Sequence, residues 1–403
     1  MRPRRQKIIK LRRKAETKMT AIILVVIVVV AIAAAVYYLQ FARKPVKTIK
    51  IGYVAPFTGP AAEFGTNGWR GISIALEEIN EEGINIGGAT YKIEIIRYDD
   101  RCEPSEAAAA ARRLILEDKV VALLGSHCSS CCMAVAPLCD EYKVPGITIE
   151  CAADAVTSPG HEYYFRMRPS MGLMAPLITP VIVEKLNPST VAFIAVDDDY
   201  GRSFVESFKT ELSKSNVETV YEAYFERGTT DYYPYLTSIK SANPDICFYV
   251  GTTPEGALIL SQARELDMIP GIKFIGSEEM GEYELVKLAG NETVEDTYAI
   301  SLWAPNPKIE ELAAKVKEKF NAPMHYAIVF GYDALYVLVE AIKKAQSLDP
   351  VAIKNALDTI EYDGLEGHIK FEDFEVDGVQ YLNQGRWVPY LIVWHNGDKE
   401  LVG

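Results

Sequence analysis

The densest run of chemically capable side chains in this chain is His127-Cys128-Ser129-Ser130-Cys131-Cys132. Cys128 and Cys131 have the spacing of half a zinc site, but no second C-x2-C and no H-x3-H exists to complete a tetrahedron, so no metal is expected. A nucleophilic cysteine needs a paired base. The chain has only 5 histidines, and His127, a sequence neighbour, offers no triad arrangement. Neither a P-loop nor a glycine-rich dinucleotide fingerprint occurs. The expectation is therefore recognition rather than catalysis, with no cofactor. Ser129 and Ser130 follow the apolar run VVALLG and open a helical pattern. Hydroxyls and free backbone N–H groups at a helix N-terminus make a carboxylate site, and a serine there also serves as a plain helix cap. Glu278 follows the apolar run IKFIG. Alone, an acid at such a place is ordinarily just solvated.

Such residues need elements to hold them. From residue 49 onward, short apolar runs alternate with amphipathic stretches. IKIGYV (49–54), YKIEIIRY (91–98), VVALLG (120–125) and VPGITI (144–149) read as buried strands. Between them Ile72, Ala75, Leu76 and Ile79 share one helical face, and Pro104 opens another helix, where its missing N–H costs nothing. The rhythm restarts with VAFIAV (191–196), a run over 217–224, DICFYV (245–250) and IKFIG (272–276), separated by helical patterns. A third block, 308–361, is mostly helical and leads to short strands near 368–371 and 388–394. Strand–helix alternation means parallel sheets covered on both faces. Two such blocks predict two α/β lobes, 49–169 with 301–376 and 170–300 with 377–403. Ligands of parallel sheets sit outside the carboxyl ends of the strands, which singles out the loops 55–66, 99–103, 125–131, 150–158, 197–201, 251–256 and 277–282. Two lobes presenting those loops to each other form a cleft suited to hinge closure around a small molecule.

The ends and the composition set the location. The chain has 403 residues and a formal charge of −13. Residues 1–18 hold nine bases and one acid, so the remainder is strongly acidic, which argues against a nucleic-acid partner. Residues 19–39 carry no charge, and a helix of that length spans a bilayer core of roughly 30 Å. The segments expected are a basic cytoplasmic stretch (1–18), a transmembrane anchor or signal (19–40), read as a retained anchor in preference to a cleaved signal, and a short tether (41–48), with the body outside the cell membrane.

The order of motifs over the outer part is recognisable. IGYVAPFTGPAAEFGTNGWRGISIALEEINEEG (51–83), YDDRCEPSEAAAAARRLI (98–115), GSHCSS (125–130), the run 144–160, FRMRPS (165–170), DDDYG (197–201), PDICFYVG (244–251) and GSEEM (276–280) together resemble the branched-chain amino-acid-binding proteins. These are solute-binding subunits of ABC importers with the two-lobed type I periplasmic binding fold. The resemblance implies that Ser129, with Ser130 beside it, grips a ligand carboxylate, and that Glu278 accepts its ammonium group. It implies that Tyr200 closes over the ligand, unless it packs locally, and that Phe64 lines the pocket. It also implies a Cys102–Cys128 disulfide. Trp69 is expected either in the cleft or in lobe packing. The implied partners are a small amino acid or amide-like ligand and permease subunits with a separate ATPase; a sensor ectodomain acting through a partner is the alternative. The chain departs from the family pattern after VPGITI, where Glu150 and Ala152 stand in place of a small residue and a threonine, and at Thr252, where an aromatic is common. Glu150 with Glu278 would suit a ligand with two amines, an amide or urea-like compound, or a cationic peptide.

Overall fold

Ile49, Ile51, Tyr53 and Val54 are all buried, as a strand covered on both faces requires, and their strand Lys47–Ala55 lies inside an eight-stranded sheet. The computed structural model describes residues 2–41, 47–158, 160–376, 378–385 and 388–402. The first sheet runs in the order Phe371–Val376, Val379–Gly385, Tyr164–Arg166, Gly146–Thr148, Leu123–Gly125, Lys47–Ala55, Ala89–Asp99, Ile84–Ile86. Its centre is parallel, with Gly52 beside Leu123 and Leu123 beside Gly146. The second sheet has seven strands, in the order Asp398–Leu401, Tyr390–His395, Tyr298–Ser301, Lys273–Gly276, Ile246–Val250, Thr190–Val196, Glu218–Phe225. It too is parallel at its centre, and an antiparallel edge is formed by Tyr390–His395 and Asp398–Leu401.

Some details differ from the sequence expectation: the strand expected over 120–125 is only Leu123–Gly125. The strand expected over 144–149 is only Gly146–Thr148, because Pro145 has no N–H to give the ladder. The strand Val379–Gly385, expected in the second lobe, belongs to the first sheet. It forms a tight hairpin with Phe371–Val376, and a connection that short keeps both strands in one sheet.

Helix Tyr326–Ala345 returns from late in the chain to pack on helix Ala62–Glu82. Gly71 and Gly331 permit the close crossing: a Cβ on Gly71 would collide with the Ile328 carbonyl, and one on Gly331 with the Gly68 carbonyl. The crossing brings Tyr326, at the start of its helix, within hydrogen-bond reach of Glu279, which follows strand Lys273–Gly276 of the second sheet.

Residues Met1–Lys47 and Thr48–Gly403 are two separate compact units. In the first, a single helix spans Arg2–Phe41. Its stretch Thr17–Ala34 has a mean hydropathy of 2.6 and is unburied, so by length and composition it is able to cross a membrane, as a signal sequence also is. Of the expected tether, residues 42–46 lie outside the described residues.

Candidate functional site

Helix Ser129–Tyr142 starts directly after strand Leu123–Gly125, with Cys128 in extended conformation at its cap position. The buried Ser129 is the first helical residue, and its Oγ accepts the N–H groups of Ala152 (3.3 Å) and Ala153 (3.2 Å). Cys128 is bonded to Cys102, as the resemblance implied, with Cα atoms 5.6 Å apart. A second disulfide, Cys132–Cys151, ties the same helix to the loop after Gly146–Thr148, with Cα atoms 6.5 Å apart. Cys131, Cys139 and Cys247 are free and buried. Two of the thiols that a zinc site at 127–132 would need are thus spent in disulfides.

The loop that begins at Glu150 has a further clamp. Arg166, fully buried, donates to Cys151 O (2.8 Å), Ala153 O (2.9 Å) and Thr157 Oγ1 (2.9 Å); burial lowers its guanidinium to about 9. Glu150 is therefore held on a rigid backbone. Its Oε2 lies 2.9 Å from His127 Nδ1, and His127 Nε2 lies 2.6 Å from the Tyr53 hydroxyl.

The second sheet supplies the facing residues. Asp198 caps helix Asp199–Lys214 by accepting the Gly201 N–H (3.0 Å), and its other oxygen pairs with Arg227. Glu279, 4% exposed, accepts the hydroxyls of Tyr200 (2.9 Å) and Ser277 (2.9 Å) on Oε2 and that of Tyr326 (3.1 Å) on Oε1. Burial, and then the charge of Glu278, raise its carboxyl well above the usual carboxylate range. Glu278 is 0% exposed; its Oε1 pairs with the buried Arg168, and its Oε2 lies 3.1 Å from the same Tyr200 hydroxyl.

Together these groups line a nearly shut cleft of about 30 Å³, room for about one water, so a solute enters only when the cleft opens. Phe64, His127, Cys128, Ser129 and Glu150 face it from the first sheet's side. Asp198, Tyr200, Arg227, Gly251 and Glu279 face it from the second, and Tyr326 completes the wall. All but Tyr326 lie on segments leaving the carboxyl ends of strands, where the parallel arrangement puts ligands.

The sequence candidates divide accordingly. Phe64, Ser129, Glu150 and Tyr200 are in the lining; Ser130, Ala152, Thr252 and Glu278 are not. Ala152 contributes only the amide that Ser129 receives. Thr252 opens helix Thr253–Glu265, its N–H bonded to Glu255 Oε2 at 2.8 Å. Glu278 is a correction: Arg168 draws it inward, and its neighbour Glu279 takes the place in the cleft. Trp69 is lobe packing, stacked on Tyr53 and covered by the Arg97 guanidinium 4.0 Å from its ring centre. Sequence reasoning missed Asp198, Arg227, Gly251, Glu279 and Tyr326. The first four lie in or beside strand-end loops, a usable signal. Tyr326 had none, since its position follows from a helix crossing.

The family model described as periplasmic binding protein matches residues 48–383. An amino acid binding protein of Pseudomonas aeruginosa is 30% identical over 306 residues, covering 75% of this chain and 80% of the relative. The crystal structure of the branched-chain amino acid transporter substrate binding protein LivJ from Streptococcus pneumoniae, in complex with isoleucine, superposes with a TM-score of 0.77 at 25% identity, covering 88% of this chain and 98% of the other. A Rhodopseudomonas palustris solute binding protein in complex with benzoate has a TM-score of 0.78 at 17% identity, covering 88% and 96%, a likeness of fold alone. The relatives are binding proteins of transporters, not enzymes.

Proposed function

Since this chain belongs to the periplasmic binding protein family, we propose that it is the extracytoplasmic solute-binding subunit of an ABC importer and captures a small amine-bearing solute, an amino acid or amide, between two lobes. The observation that carries the amine is Glu279, a buried carboxyl group in the cleft whose Oε1 has one hydroxyl donor and room for another. The lobes are built on the two sheets, and the cleft between them draws walls from both. A ligand that touches both walls binds the shut form best, so binding favours closure. The helix Arg2–Phe41 serves as a retained anchor, with its basic end in the cytoplasm. Permease subunits with a separate ATPase receive the solute.

Thermal-shift screening of the full chain in detergent against amino acids, amides and amines tests this reading. A true ligand raises Tm by mass action, and a screen in which no amine-bearing compound shifts Tm refutes it. The anchor has its own check: cell fractionation should leave the full-length chain with membranes, and a soluble, shortened chain overturns it.

A further inference from the structure

Glu150 is 5% exposed and lines the cleft. One of its carboxylate oxygens faces His127, while the other, Oε1, has no hydrogen-bond partner. A buried acceptor left unpaired costs free energy, and a ligand that donates to it removes the cost. On the same wall, the feature that favours an anion is the N-terminus of helix Ser129–Tyr142. The amides of Ala152 and Ala153 are already spent on Ser129 Oγ, and a ligand carboxylate placed there would lie against the charge of Glu150. Across the cleft Glu279 presents a second acceptor. Asp198 and Arg227 neutralise each other, which leaves Glu150, beside His127, and Glu279 as the remaining acids of the lining.

We propose that the cleft takes a carboxylate-free cation of the diamine class, one nitrogen donating to Glu150 Oε1 and the other to Glu279. This rests on the solute-binding reading above and narrows it. A diamine supplies the donor that Glu150 Oε1 lacks and a cation that favours the ionised form of Glu279, whereas a zwitterionic amino acid sets its own carboxylate against Glu150. Because one acceptor comes from each wall, the diamine holds the cleft shut, and charge-assisted hydrogen bonds in such a closed space are strong.

Titration calorimetry of the full chain in detergent tests the assignment with three kinds of probe: α,ω-diamines from 1,3-diaminopropane to 1,6-diaminohexane, leucine, and benzoate. A diamine is expected to bind at least ~30-fold more tightly than leucine, and Glu150→Gln to weaken that diamine at least ~30-fold while narrowing its margin over leucine. The Tm of the unliganded variant checks that it folds. Should Glu150→Gln fail to fold, Glu150→Asp, which keeps the charge and shortens its reach, is expected to weaken the diamine and still exclude leucine. Leucine bound more tightly than every diamine overturns the diamine assignment and leaves the solute-binding reading standing. A diamine held equally by the parent and Glu150→Gln overturns the role of Glu150. Benzoate as the one probe that binds, or no binding at all, overturns the inference together with the amine reading beneath it.

Discussion

Replacing Glu279 by Gln keeps its size and removes its charge, and replacing Glu278 does the same one residue earlier, yet the two should differ completely. Glu279 faces the cleft, so Glu279→Gln should weaken an amine ligand by roughly 2–5 kcal/mol with little loss of apo stability, read by calorimetry and urea unfolding. Glu278 neutralises a buried guanidinium, so Glu278→Gln leaves Arg168 unpaired and should cost about 3–5 kcal/mol of folding stability. Binding should also depend on pH. Burial and the neighbouring Glu278 raise the Glu279 carboxyl to about 8, so near neutrality most of it is protonated. An ammonium ligand requires the carboxylate, so binding releases a proton and affinity should rise from pH 6 to 8.5. Calorimetry in two buffers of different ionisation enthalpy measures that release directly.

The loop that starts at Glu150 is held at the scale of elements, by Cys132–Cys151, by Arg166 and by Ser129. The neighbouring Cys102–Cys128 bridge closes a sequence separation of 26. In the chain-entropy picture its loss should cost about 3 kcal/mol, and denaturant unfolding of Cys102→Ser/Cys128→Ser checks this. Peptide mapping without reductant should recover both bridges and find Cys131, Cys139 and Cys247 as free thiols. The crossing of Ala62–Glu82 with Tyr326–Ala345 has no space for a methyl at Gly331. Gly331→Ala should therefore destabilise by about 1–3 kcal/mol, and it should weaken ligand binding too, because the displaced helix carries Tyr326.

Across the whole body, buried acids set the pH response. Burial raises Asp333 to about 7 and Glu282 to about 8, and Glu279 moves the same way. For an acid whose folded value is raised, the folded state holds the proton longer than the unfolded chain does. The stability it contributes is full below about 4.5 and is lost as pH climbs through the folded value. His325 acts in the opposite direction: burial lowers it to about 3, so its contribution is lost below about 6.5, where the unfolded imidazole gains a proton. Burial raises Glu63 and Glu366 to about 7 as well, and with these five acids against one histidine the urea midpoint should be higher at pH 5.5 than at pH 8. A flat or rising profile would show that these acids are ionised in the folded protein.

The apolar helix, the order of strands and helices, and the loops at the strand ends were legible in the sequence, because burial of a strand or a helix face is a local periodic pattern. So was Glu150 as an oddity, since its residue type clashes with the site the resemblance implies. The sequence did not tell which of Glu278 and Glu279 faces the cleft. Both acids reach the Tyr200 hydroxyl, and Arg168, more than a hundred residues earlier, holds Glu278 out of the cleft lining. Nor did it show that Glu150 keeps one oxygen free, which depends on His127, Arg166 and Cys132–Cys151 acting together on one loop. Tyr326 was invisible for the same reason. Its place in the wall depends on a close helix crossing, and contacts between residues far apart in the chain leave no local period to read.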